Sequence, residues 1–164
     1  KQKNPFCILQ FFMEWILSVS TRESAILVLF KTALLRERFY IPPVNRLVYL
    51  GDRYVSALHT RLRLNNCGLN YYLFLMNCVS SPSCTCGAPR EDVTHYLLSC
   101  PCFAALRASM LASVTRLAGN VWNVLNISQQ VDILLHGSRN LSFDVNAAIF
   151  SEVQWYIGSS ARFA

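Results

Sequence analysis

Cys84-Thr85-Cys86-Gly87, His95 and Cys100-Pro101 place three thiols and one imidazole within seventeen residues. Three thiolates and a neutral imidazole complete a tetrahedral zinc site, with sulfur at about 2.3 Å and nitrogen at about 2.0 Å from the ion. Cys84 and Cys86 fall in a tight loop, and Gly87 supplies the backbone freedom such a turn needs. His95 falls one turn into a short helix, and Cys100 stands at the junction with the next one. An ion held there would pin a loop to two helix ends. Apparent binding energies on the order of 10 to 16 kcal/mol in small peptides are enough to decide whether such a segment folds. One residue separates Cys84 from Cys86, where about two to four are usual between paired ligands. Cys78 and Cys102 are therefore alternative ligands, and the competing reading is three buried thiols beside an unrelated histidine. A closed four-ligand site leaves no open position for chemistry, so its role would be structural.

The remaining residues offer little catalytic chemistry. The histidines are His59, His95 and His136. His95 is a candidate ligand, and His136 precedes Gly137 at an expected helix end, where a positive imidazole suits the helix dipole. Neither a nucleophile–base pair nor a carboxylate pair emerges, and the chain reads as a non-enzyme. Seven cysteines, an odd number, exclude a complete intrachain disulfide framework. Their clustering around His95 argues for metal in a reducing compartment. Cys7, Cys67, Cys78 and Cys102 read most simply as buried thiols. A secreted disulfide protein is the least favoured alternative.

The elements that must position the cluster are helical. Thr21 to Phe39 carries Ile26, Leu29, Phe30, Ala33 and Leu34 at three- and four-residue spacing, until Ile41-Pro42-Pro43 breaks it. A helix runs from Asp52, a good N-cap, to about Leu64, with Val55, Leu58 and Leu62 as its apolar stripe. Asn65-Asn66-Cys67-Gly68 stops it. Leu69 to Met76 forms a short helix bearing Tyr71, Tyr72 and Phe74. Asp92 caps a helix to about Ser99. Pro101 opens another to about Leu117, striped by Phe103, Leu106, Met110, Val114 and Leu117, and Gly119-Asn120 ends it. Gln129 to His136 is a further helix. Leu141-Ser142 opens the last, with Val145, Ala148, Ile149, Val153 and Tyr156. The expected fold is mainly α: an irregular helical bundle with a small zinc-stabilised loop–helix segment. Three parts are expected: an apolar helical segment over 1–45, a helical segment with the Cys-His site over 46–118, and C-terminal helices packing on it over 119–164.

The chain has 164 residues, 53% hydrophobic and 15% charged, enough for a real core and too apolar for general disorder. The net charge of +6 is unevenly spread. Between Lys31 and Arg63, seven basic residues (Lys31, Arg36, Arg38, Arg46, Arg53, Arg61, Arg63) face only Glu37 and Asp52. From Gly119 onward Arg139 and Arg162 face Asp132, Asp144 and Glu152. Such concentration is a modest pointer to nucleic acid or an anionic surface, and on charge alone a solvated helix face is the favoured reading. Lys1-Gln2-Lys3 before the apolar run Phe6 to Val19 imitates a secretory signal or anchor, which keeps a membrane open as a partner. Gln10 and Glu14 interrupt that run, and a membrane span needs roughly 20 apolar residues, so an amphipathic or buried helix is preferred. The first residue, Lys1, suggests a fragment or processed chain.

Ser81-Pro82-Ser83-Cys84-Thr85-Cys86-Gly87, then Glu91-Asp92-Val93-Thr94-His95-Tyr96-Leu97-Leu98-Ser99-Cys100-Pro101, Phe103 and Arg107 carry a family likeness. So do Gly51-Asp52-Arg53, Leu58 to Arg63, Leu69 to Phe74, Asn146, Ile149-Phe150, Gln154 to Ile157 and Ser160 to Phe163. Together they resemble the cysteine–histidine motif at the C-terminus of non-LTR (LINE-like) retrotransposon reverse transcriptases, over roughly residues 50 to 164. The close Cys-x-Cys pair is typical of that family. The resemblance implies Cys84, Cys86, His95 and Cys100 as ligands and Zn2+ as the ion, in a segment thought to contact RNA or DNA. The family's polymerase holds magnesium on an Asp-Asp pair. This chain has none and shows no endonuclease motif, so the parent activity is not expected here.

The leading expectation is a non-catalytic, zinc-stabilised nucleic-acid-binding tail, intracellular (nuclear or cytoplasmic), with no small-molecule substrate. Arg53, Arg61, Arg63, Arg90 and Arg107 would contact phosphate, with His59 a weaker candidate. Tyr71, Tyr72 and Phe74 would either stack on unpaired bases or fill the core. The alternatives are a structural or protein-interaction helical module, and a pseudogene product with no selected function.

Overall fold

The computed structural model describes residues 50–163. The apolar run Phe6 to Val19, the helix expected over Thr21 to Phe39, the first expected part and the basic residues Lys31, Arg36, Arg38 and Arg46 lie outside the described residues.

Helix α1 spans Arg53–Arg63. Asp52 caps it through Oδ1, which accepts from the N–H groups of Tyr54 (2.9 Å) and Val55 (3.2 Å), satisfying two of the four donors that every helix start leaves open. Its far end closes as a Schellman motif. Asn65 adopts φ +52°, its N–H bonds the Leu62 carbonyl, and the Asn66 N–H reaches back to Arg61. Asparagine tolerates this left-handed conformation better than most residues, which is why the Asn65-Asn66 pair ends the helix. Helix α2 is short, Asn70–Leu75, and buries none of its side chains fully.

The stretch after the cysteine loop is helical in an unexpected register. Val93 and Thr94 begin an α-turn, but His95–Ser99 is a π-helical turn closed by the Cys100 N–H on the His95 carbonyl at 2.7 Å. The next bond of that pattern would come from residue 101, which is proline and has no N–H. The Tyr156 hydroxyl supplies the missing donor, bonding the Tyr96 carbonyl at 2.6 Å. Pro101 also holds Cys100 extended (φ −61°, ψ 118°) and starts a 3-10 turn, Pro101–Phe103, that leads into α3, Ala104–Ala118.

Gly119 ends α3 at φ +56°. A single helical turn, α4 (Asn120–Asn123), follows at once, too short to give a sequence period. Helix α5 spans Ile127–His136 and so begins two residues before the expected Gln129. Asn126 and Gln129 form a reciprocal capping box, in which the Gln129 N–H reaches Asn126 Oδ1 at 2.9 Å and the Asn126 N–H reaches Gln129 Oε1 at 3.0 Å. Gly137 closes α5 at φ +76°, where a Cβ would meet Asn146 Oδ1 at 2.7 Å, so conformation and space both demand glycine. Helix α6 runs from Phe143 to Ser159 behind the Ser142 cap.

The described residues are thus mainly helical, an irregular bundle around one apolar core, as the periodicity predicts. Helix α3 packs along α6, and α1 packs on α6 and α5. Leu62, Met110, Val114, Leu134, Ile149, Phe150, Val153 and Tyr156 are fully buried among them. Each such aliphatic or aromatic side chain stabilises the fold by about 1.5–3 kcal/mol through the surface it removes from water. From the segment between Cys84 and Cys100, Val93, Tyr96 and Leu97 join this core. They lock the loop's second half onto the bundle.

Candidate metal centre

The ligand atoms of Cys84, Cys86, His95 and Cys100 all lie within 4.8 Å of one another, so the cluster could hold a metal ion. Cys84 Sγ and Cys100 Sγ are 3.7 Å apart, and Cys86 Sγ is 3.3 Å from His95 Nε2. Two sulfurs each about 2.3 Å from a tetrahedral centre stand about 3.8 Å apart, whereas a disulfide requires about 2.0 Å. These two spacings suit ligands around a common point, and each described cysteine is a free thiol.

Local structure explains the convergence. The Cys84 N–H bonds the Ala88 carbonyl (2.9 Å) and the Gly87 N–H returns to the Cys84 carbonyl (3.0 Å), folding residues 84–88 into a knuckle. Gly87 sits at φ +93° with nothing within 4 Å of where a Cβ would stand, so its requirement is conformational and not steric. Asp92 Oδ1 caps the His95 N–H at 2.7 Å. His95 turns Nε2 to the cluster and Nδ1 toward Ser99 Oγ at 3.4 Å. Arg107 Nη1 donates to the Cys100 carbonyl at 2.5 Å, anchoring the last ligand to α3.

The protons follow burial. Desolvation pushes the Cys84 thiol above its ordinary range and Cys100 up to about 12. Cys86, half-exposed, is held lower by the Ala88 backbone N–H. Metal binding at such a site displaces protons, so affinity falls as pH falls.

Behind Cys84 lies a pair that sequence spacing does not reveal. Glu91 is only 2% exposed, and its Oε1 is 3.9 Å from Cys84 Sγ. Arg162 grips it with a two-pronged fork, Nε to Oε1 and Nη2 to Oε2, each at 2.6 Å, and the Asn70 N–H adds a third bond at 2.7 Å. Burial raises the Glu91 carboxyl, but the Arg162 fork and the Asn70 N–H outweigh it and hold the group below its ordinary range. Glu91 and Arg162 are 71 residues apart, so no local signal could have paired them.

The arginines expected to meet phosphate are placed differently from one another. Arg53 and Arg61 are exposed on α1. Arg90 is exposed, paired with Asp92 at 2.7 Å, and its guanidinium lies 4.0 Å from the centre of the Tyr71 ring. Arg107 is half-buried against Cys100. Arg63 is half-buried, donates through Nε to the Leu135 carbonyl at the end of α5, and lies over Phe150 at 4.6 Å. His59 is fully buried, with Nε2 3.0 Å from the Leu134 carbonyl and Nδ1 3.3 Å from Arg63 Nη2. Of the three aromatics of α2, Phe74 is exposed and Tyr71 and Tyr72 are half-buried. The tyrosines line a cavity of about 260 Å³ with Leu75, Arg90 and Val93.

Over 47 residues, the chain is 47% identical to a Retrovirus-related Pol polyprotein from type-1 retrotransposable element R1 3 of Nasonia vitripennis. The match covers 28% of this chain and 12% of the polyprotein, so the chain spans a small part of that relative. It supports a retrotransposon-related origin. No protein-family profile and no solved structure matches the chain. Among the described residues no helix is long and apolar enough to cross a membrane.

Proposed function

We propose that this chain is a non-catalytic, zinc-stapled tail of a retrotransposon reverse transcriptase that binds RNA or DNA. The observation that carries the reading is the convergence of Cys84, Cys86, His95 and Cys100 within 4.8 Å, in a chain similar to a Pol polyprotein. Three sulfurs and one nitrogen favour zinc over the harder oxygen-seeking cations, and the closed set favours a structural role. Arg53 and Arg61, exposed on one helix, are the cations best placed to meet phosphate. Arg90 beside Tyr71 adds a cation and a ring face, a pairing suited to an unpaired base.

Two measurements test this. Metal analysis of the purified chain should give one zinc per chain, lost in Cys84→Ser and His95→Ala; zinc content near zero in the parent chain would end the zinc reading. Binding to single-stranded RNA and DNA should weaken steeply with salt, and Arg53→Glu with Arg61→Glu should abolish it. Association unchanged by that double reversal would favour the protein-interaction module. Arg63 is kept out of the test because its guanidinium holds the end of α5, and reversing it would unsettle the fold.

A further inference from the structure

The last described residues are held against α1 and the stretch that bears His95 by hydrogen bonds and a ring contact. Ser160 Oγ meets Tyr96 Oη at 2.8 Å, the Tyr54 hydroxyl donates to the Phe163 carbonyl at 2.8 Å, and the Phe163 ring packs edge-on against Tyr96 at 5.4 Å. Between them Ala161 adopts φ +48°, a conformation disfavoured for a residue with a Cβ and maintained only where its surroundings hold it. Arg162 projects from this turn to Glu91, and its Nη2 also approaches Asn70 Oδ1 at 3.5 Å.

This placement has an electrostatic consequence at the metal centre. Metal-bound sulfurs are thiolates, so three of them with a dication and a neutral imidazole leave one net negative charge. A buried carboxylate 3.9 Å from one of those sulfurs adds a second, in surroundings that screen poorly. The cation gripping that carboxylate is Arg162, at 2.6 Å on both oxygens.

We infer that Arg162, acting through Glu91, is a charge-balancing positioning residue for Cys84, and that docking of residues 160–163 and metal binding at the Cys84–Cys100 cluster reinforce each other. This rests on the zinc reading above. Coupling of this kind is reciprocal: the factor by which a docked tail tightens zinc is the factor by which zinc tightens the tail.

The test is zinc affinity of the full chain, measured by competition with a chromogenic chelator. Arg162→Gln strands the carboxylate beside the thiolates and should weaken zinc by about tenfold or more, the usual scale for partners just outside the ligand set. Arg162→Lys keeps the charge but not the fork and should stay within about threefold of the parent. The double variant Glu91→Gln with Arg162→Gln removes both charges and should recover most of the loss. A merely mechanical latch would make the lysine variant as weak as the glutamine variant and would give no recovery in the double. Affinity of Arg162→Gln within about twofold of the parent would overturn the coupling. A parent chain that binds no zinc would overturn the zinc reading instead. Should Arg162→Gln not fold, amide exchange of residues 161–163 in the parent chain decides the matter. Exchange should speed up when zinc is removed, and unchanged exchange would overturn the inference.

Discussion

His59 shows how burial converts an ordinary residue into a pH-sensitive one. Burial first, and then the adjacent Arg63 charge, lowers its pKa from 6.5 to about 3. The neutral ring donates to the Leu134 carbonyl and accepts from Arg63, an arrangement that a second ring proton would disrupt. The unfolded chain binds a proton below pH 6.5 and the folded chain does not, so stability present above 6.5 is lost as pH falls toward 3. Between pH 7 and pH 5 the loss should be about 2 kcal/mol from this group. His59→Gln, which keeps a donor for Leu134, should flatten the urea-derived stability curve over that interval by about that amount. Equal slopes in the two proteins would refute the assignment. Acid would also weaken any metal held by the cysteine cluster, but in both proteins alike, so the comparison isolates His59. From sequence alone His59 sits in a basic helix and is a weaker candidate for phosphate contact than its arginine neighbours; its 0% exposure is a property of the packing of α1 on α5 and α6.

At the scale of elements, caps account for most of the boundaries that can be read in advance. Asp52, Gly119, Gly137 and Ser142 each end or begin a helix where their side-chain chemistry or backbone freedom requires it. The Asn126–Gln129 capping box is of the same kind, and Asn126→Ala should cost about 1 kcal/mol by thermal or urea unfolding; no change would mean that α5 is held by its packing alone. Helix α4 and the π-helical turn His95–Ser99 are different. The first is a single turn, below the length at which periodicity exists. The second depends on Tyr156, 60 residues away, donating to the carbonyl that Pro101 cannot reach. A local pattern predicts an α-helix over this stretch, because the donor that stabilises the alternative is not local.

For the molecule as a whole, the bundle and the Cys-His cluster are joined but unequal. The core draws mainly on α1, α3, α5 and α6, with Val93, Tyr96 and Leu97 from the ligand-bearing stretch. Residues 81–92 contribute no member of that core apart from their link to it. With zinc held at the cluster as proposed, its removal by a chelator should therefore release amide protection over residues 84–92 first, while protection within Arg53–Arg63, Ala104–Ala118 and Phe143–Ser159 persists. Loss of protection in all segments together would show that the ion folds the whole bundle.

The residue types of the candidate ligands, their clustering within seventeen residues and the helical period of the apolar residues are one-dimensional properties, legible along the chain before any folding. The α-helical class and the candidate set Cys84, Cys86, His95 and Cys100 could be read there because thiol chemistry, turn glycine and 3.6-residue periodicity act over a few neighbours. Which arginines face solvent, which one caps α5 and which one neutralises Glu91 was decided only by the tertiary structure. Arg53, Arg61, Arg63 and Arg162 are chemically identical along the chain. Arg63 and Arg162 differ from the exposed Arg53 and Arg61 because their partners lie 72 and 71 positions away, brought near only when the helices pack.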